Sequence, residues 1–152
     1  MTDQTADTNI IESKPIPRVM DYIELMKPRI MMLVVFTAAA GLVAAPGDIN
    51  WFTAIVALFA VAVGSGAAGA INMWYDFDID AVMTRTVTRP LPSGRVRRDD
   101  ALALGTLMSF LSVTLMALTT NWVAAVMLAM SIFYYGVIYT MWLKRSTPQN
   151  IV

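Results

Sequence analysis

Between residues 72 and 94 the chain reads NMWYDFDIDAVMTRTVTRPLPSG. Asn72, Asp76 and Asp80 recur there at steps of four, a spacing that stacks side chains on one face of a helix. Asp78 lies two residues from each aspartate and points elsewhere. Arg85 and Arg89 follow, and then the turn Pro90-Leu91-Pro92-Ser93-Gly94. Carboxylates succeeded by guanidiniums at the end of an apolar run suit a divalent cation and a phosphate-bearing ligand. Mg²⁺ keeps several waters and binds through one or two carboxylates together with substrate phosphate, and two aspartates one turn apart fit that habit. Asp76 and Asp80 are therefore candidate metal ligands. Asn72, one turn deeper, is placed to offer an amide oxygen or a phosphate contact. Arg85 and Arg89 offer the planar fork that matches phosphate oxygens, and the proline-rich turn reads as a corner folding the loop back over the site.

Each of these residues also has a plainer reading. The aspartates can be the polar end of a helix leaving a bilayer, and the arginines can be topology signals. Two arguments favour the cation. The helix carrying the aspartates ends at its negative dipole pole, where each acid is disfavoured by about 0.3–1 kcal/mol. The charge rule for cytoplasmic loops also selects Lys and Arg, not acids. For Arg95, Arg97 and Arg98 the topology signal is the preferred explanation.

The elements that must position this stretch are apolar. Of 152 residues, 57% are hydrophobic and 14% charged, too apolar for soluble helices with polar faces, so the class is all-α, a polytopic membrane protein. There is no cysteine and no histidine, which excludes disulfides and thiolate sites and removes the commonest general base and zinc ligand. Any metal here is a hard one held by oxygen. Residues 1–18 are polar, lack a signal-peptide core and read as a flexible tail. Residues 19–26 read as a short amphipathic helix at the interface. Four spans follow, at about 29–45, 51–74, 101–119 and 122–143, with Pro28 suited to the first turn of the first. Span one is short against the ~20 residues a crossing helix needs.

All eleven Lys and Arg fall in the N-terminal tail and span-one entry, the 75–100 loop or the C-terminal segment, and none in the turns at 46–50 and 120–121. The positive-inside rule then makes the N-terminus, the 75–100 loop and the C-terminus cytoplasmic. Trp51 and Trp122 mark the outer interface, and Trp74 and Trp142 the inner one. The run Gly64-Ser65-Gly66-Ala67-Ala68-Gly69-Ala70 suits close helix approach or room for a bulky ligand. The methionines, with Phe110, Phe133, Tyr134, Tyr135 and Tyr139, are lipid-facing or core residues, or line an apolar chamber.

The pattern of Asn72, Asp76, Asp80, Met83, Arg85, Thr86, Arg89, Pro90 and Leu91 resembles the first aspartate-rich motif of the UbiA superfamily of intramembrane prenyltransferases. Two further stretches, Asp21-Tyr22 through Lys27-Pro28-Arg29 and Tyr139 through Val152, are similar to the branch of that superfamily that farnesylates haem. The resemblance implies an Mg²⁺-dependent transfer of a farnesyl group from farnesyl diphosphate to a vinyl group of haem B, giving haem O. It implies that Asp76 and Asp80 are catalytic and hold Mg²⁺ against the diphosphate. Asn72, Arg85 and Arg89 would bind that diphosphate. The expected setting is the cell inner membrane, with the lipid bilayer, farnesyl diphosphate and haem B as partners, a haem A synthase as a further one, and no nucleic acid.

The family carries a second aspartate-rich motif in a later loop, and this sequence has nothing like it. Residues 19–152 are therefore expected to be the N-terminal part of a UbiA-type domain, an incomplete fragment whose missing half is a further expected partner. Two alternatives stand beside this reading. One is a UbiA-type enzyme acting on an aromatic or quinone precursor. The other is a non-catalytic membrane subunit for haem binding or oxidase assembly.

Overall fold

The computed structural model describes residues 16–143. The tail up to residue 15 and the segment from Lys144 onward lie outside the described residues. The described chain is helical: α1 (Val19–Leu25), α2 (Pro28–Ala44), α3 (Trp51–Tyr75), α4 (Phe77–Val82), α5 (Arg98–Thr119) and α6 (Trp122–Phe133), the last continuing as a π-helical segment over Tyr134–Leu143. Three helical stretches are long and apolar enough to cross a membrane: α3, α5, and α6 with its π continuation. A fourth exists if α1 and α2, bent by 55° at their junction, form one broken span. The helices α2, α3, α5 and α6 with its π continuation begin and end within a few residues of the apolar runs read from sequence.

Local chemistry explains the boundaries. Asn50 accepts the Phe52 N–H at 2.9 Å and Asn121 accepts the Ala124 N–H at 2.8 Å, so each caps the helix it precedes. Asp99 and Asp100 occupy the first turn of α5, favourable against its dipole. Between α1 and α2, Lys27 adopts the left-handed conformation, φ +53°. A non-glycine residue there costs on the order of 1–3 kcal/mol, so the surrounding contacts must hold it.

Helix α3 is the centre of the bundle, packed on α5 most extensively and on α2, α6 and the π segment besides. Its small residues make this possible. A Cβ at Gly105 of α5 would stand 2.7 Å from Ile71 Cγ1 and 3.2 Å from the Ala67 carbonyl. A Cβ at Gly69 would stand 3.2 Å from the Met26 carbonyl, so the α1–α2 junction rests directly on α3. One core cluster joins Leu25, Ala70, Met73, Leu91, Val96 and Ala101. It ties α1 and the 83–97 loop to α3 and α5. Helix α1 is thus amphipathic, as its sequence indicates, but its inner face is buried in protein at both Asp21 and Leu25.

Candidate functional site

Asn72 stands just past the small-residue run of α3, and the four-residue spacing does stack Asn72, Asp76 and Asp80. The Asp76 N–H bonds the Asn72 carbonyl at 3.0 Å and the Asp80 N–H bonds the Asp76 carbonyl at 2.8 Å, so the helical register survives although α3 ends at Tyr75 and α4 starts at Phe77. All three side chains are buried, at 4%, 1% and 4% exposure, while Asp78 faces out. The break changes the electrostatics expected from sequence. Asp78 and Asp80 stand in the first turn of α4, where acids are favoured, not at the end of one long helix where they are disfavoured. That part of the argument for a cation is therefore withdrawn by the fold.

The site is held by specific partners. Asn72 Nδ2 donates to Asp76 Oδ2 at 2.9 Å and to Thr140 Oγ1 at 3.0 Å, and Asn72 Oδ1 accepts from Lys27 Nζ. Arg89 Nη1 donates to Asp80 Oδ2 at 2.6 Å, a charge-assisted contact. Arg89 can reach back because the loop turns on itself. Thr86 Oγ1 donates to the Asp80 carbonyl at 2.9 Å, Val96 N–H bonds the Pro90 carbonyl at 3.1 Å, and Gly94 takes φ +73°, a conformation glycine adopts without steric cost. The corner read from Pro90–Gly94 is therefore real, with Pro90 and Leu91 buried beneath it.

Of the five residues singled out in the sequence, four converge. Arg85 does not: it is exposed, and among the described residues it forms no ion pair with the aspartates. Three partners were missed. Lys27 and Thr140 lie in the two stretches that carried the closer resemblance, but nothing in their spacing pointed to Asn72. Arg95, read as a topology signal only, donates to the buried Asp21, to Glu24 Oε2 at 3.3 Å, to the Thr88 carbonyl at 2.7 Å and to Ser93 Oγ at 3.0 Å. Asp21 also caps α1 by accepting the Arg18 N–H at 2.9 Å. Arg98 likewise has a structural partner, lying 5.3 Å over both Trp74 and Phe77, a cation–π arrangement. Arg97, 65% exposed and 3.8 Å from Asp99, keeps its solvent-facing role.

Beside the polar cluster lies an apolar cavity of about 470 Å³, within the roughly 300–1,000 Å³ of small-molecule sites. The open face of the small-residue run (Gly64, Ser65, Ala68, Gly69) forms one wall, with Met26, Met127 and Tyr135 opposite. The packing reading of that run holds: Gly66, Ala67 and Ala70 are buried against neighbouring elements. Phe110, Phe133 and Tyr134 are instead exposed, between 56% and 69%. Lys27 belongs to both places, lining the cavity and bonding Asn72.

The residues fit a hard cation. Two buried carboxylates one turn apart are the complement Mg²⁺ takes from protein when phosphate supplies the rest, and among the described residues no group of three acidic or histidine ligands offers a closed cage.

Residues 33–152 match the UbiA prenyltransferase family. The chain belongs to that family. A protoheme IX farnesyltransferase of Hyphomonas neptunium is 62% identical over 156 residues, covering 100% of this UbiA-family chain and 48% of its own length. Those of Rhizobium rhizogenes and Agrobacterium fabrum are each 62% identical over 132 residues, covering 87% of this chain and 41% and 42% of their own lengths. The chain therefore spans a little under half the length of these curated relatives. No solved structure matches it.

Proposed function

We propose that the chain contributes the first metal–diphosphate half-site of a haem-farnesylating enzyme. The observation that carries this reading is the meeting of a buried Asn72–Asp76–Asp80 ladder, flanked by Lys27 and Arg89, with an apolar cavity. The relatives are named protoheme IX farnesyltransferase, which supports haem as the acceptor; on this reading the donor is farnesyl diphosphate and haem B is converted to haem O. Asp76 and Asp80 would hold Mg²⁺, which when bound neutralises charge on the diphosphate.

The chain's own residues do the remainder. Lys27 and Arg89 draw the diphosphate to the ladder, and Arg85 is free to approach it from the exposed loop. The bond between farnesyl C1 and the diphosphate oxygen breaks, its electron pair leaving on the diphosphate where preorganised cations stabilise it. The π electrons of the haem vinyl group form the new bond to C1. A water oxygen then adds to the cation left on the former vinyl carbon and loses a proton, giving the hydroxyethylfarnesyl side chain. The apolar cavity holds the prenyl chain and keeps water from the allylic cation before transfer. We place the 75–100 loop, with the site, on the cytoplasmic side of the inner membrane, on the strength of its basic residues.

The test is haem O formation, read by mass spectrometry in membranes carrying the protein with haem B, farnesyl diphosphate and Mg²⁺. Asp76→Asn and Asp80→Asn should each lower it at least ~100-fold, the scale of losing preorganised charge stabilisation. Haem O formation unchanged in both variants would overturn the assignment of the ladder. Prenylation of an aromatic acid in place of haem would move the chain to another branch of the family.

A further inference from the structure

We propose that Thr140, delivered by the π-helical turn, is a positioning residue that fixes the Asn72 amide and, through it, the Asp76 carboxylate. The inference rests on the reading of Asp76 as part of the diphosphate site. Serine and threonine hydroxyls in α-helices reach back to the carbonyl four residues earlier, and this chain does so repeatedly: Thr37 to Leu33, Ser109 to Gly105, Thr119 to Leu115 and Ser131 to Met127, at 2.7–2.9 Å. Thr140 differs. Its Oγ1 donates to the Tyr135 carbonyl, five residues earlier, at 2.7 Å. The wider turn of Tyr134–Leu143, whose bonds run from residue i to i−5, makes that carbonyl the reachable one. A second bond, from Tyr75 Oη to the Met141 carbonyl at 3.4 Å, ties the turn to α3.

The direction of each bond follows from the first. With its single proton committed to Tyr135, the Thr140 oxygen can only accept, so it takes a proton from Asn72 Nδ2. The second Nδ2 proton goes to Asp76 Oδ2, and Oδ1 is left facing the Lys27 ammonium. A flipped amide would set its oxygen against the Asp76 carboxylate and a hydroxyl with no proton to offer, and its NH₂ against a cation. Thr140 thus joins Asp76 and Lys27 in selecting one of the two amide orientations. It is 0% exposed.

The experiment measures binding of a non-ionising farnesyl thiodiphosphate with Mg²⁺ to the full protein in lipid nanodiscs, by calorimetry, alongside thermal stability. T140V should raise Kd about tenfold, the scale of leaving one buried polar group unsatisfied, while T140S stays within about twofold of the parent. D76N should abolish binding. T140V binding like the parent while D76N binds nothing would overturn the positioning role alone, and so would failure of T140S to restore binding. D76N binding like the parent would overturn the reading of the site itself. If T140V does not fold, T140A removes the same hydroxyl without placing a methyl against Asn72 and is judged by the same outcomes.

Discussion

Removing Arg89 separates what the Asp80 pair does for the fold from what it does for the site. The Arg89 Nη1–Asp80 Oδ2 contact is 2.6 Å long, with side-chain exposures of 30% and 5%. Fully exposed pairs contribute about 0.2–1 kcal/mol, and breaking a fully buried pair costs about 3–5 kcal/mol. A pair with one buried and one partly wetted member falls between, so the coupling energy should be about 1.5–2.5 kcal/mol. R89M strands a buried carboxylate and should lose about 2 kcal/mol of unfolding free energy. D80N removes the charge that needed Arg89, so the double variant should be no less stable than R89M alone. The assay is reversible unfolding in mixed micelles for the parent, both single variants and the double variant. A coupling below about 0.5 kcal/mol, the additivity expected of independent sites, would refute the reasoning. Diphosphate binding should not recover in the double variant, because the stability defect is relieved while both ligand-facing groups are gone.

Two other perturbations test the scaffold. G105A adds a methyl 2.7 Å from Ile71 Cγ1 and 3.3 Å from the Ile71 amide nitrogen, whereas G41A adds one with nothing within 4 Å. Unfolding should show G105A losing about 1–3 kcal/mol to overpacking and G41A gaining up to about 1 kcal/mol from helix propensity. Equal effects would mean that α3 and α5 are not in this close contact. R95M removes the hydrogen bonds to Asp21, Glu24, Thr88 and Ser93 and should cost about 2–3 kcal/mol. It should also hasten trypsin cleavage at Arg97 and Arg98, and an unchanged cleavage rate would show that the loop is held by other contacts.

The sequence made the spans legible because lipid leaves few alternatives. An apolar run must satisfy its own backbone groups as a helix, and Asn50, Asn121, Asp99 and Asp100 mark the starts by ordinary capping and dipole chemistry. The ladder was legible too, since a four-residue step is preserved across a helix break when the i→i−4 bonds continue, as they do at Asp76 and Asp80. The break itself was not, and it is what reverses the dipole argument. Lys27 and Thr140 escaped notice as site residues because their roles depend on a left-handed junction and on a π turn, 45 and 68 residues from Asn72. Neither conformation has a side-chain period that a sequence pattern could display. The second role of Arg95 escaped notice for a related reason: a positive charge in a loop between apolar spans already has a topological explanation, so its pairing with Asp21, 74 residues away, adds no visible signal.

The compensation of charge across the site has a consequence for how it is used. Asp21 is answered by Arg95, Asp80 by Arg89, and Asp76 by an amide whose other end faces Lys27. The buried carboxylates therefore need no external cation for the fold to hold them, and a ligand meets an electrostatically balanced pocket. In such a pocket two carboxylates already engaged by a guanidinium and an amide are weak hosts for a bare divalent ion. On the proposed reading they would become stronger hosts when a diphosphate brings its own oxygens and draws Arg89 and Lys27 toward itself. On the proposed reading the arginine, the lysine and the asparagine are not only clamps. They hold the carboxylates in place before the substrate arrives and exchange partners when it does. This accounts for the mixture of acidic and basic groups between α3 and the 83–97 loop, where lipid-facing helices otherwise carry almost no charge.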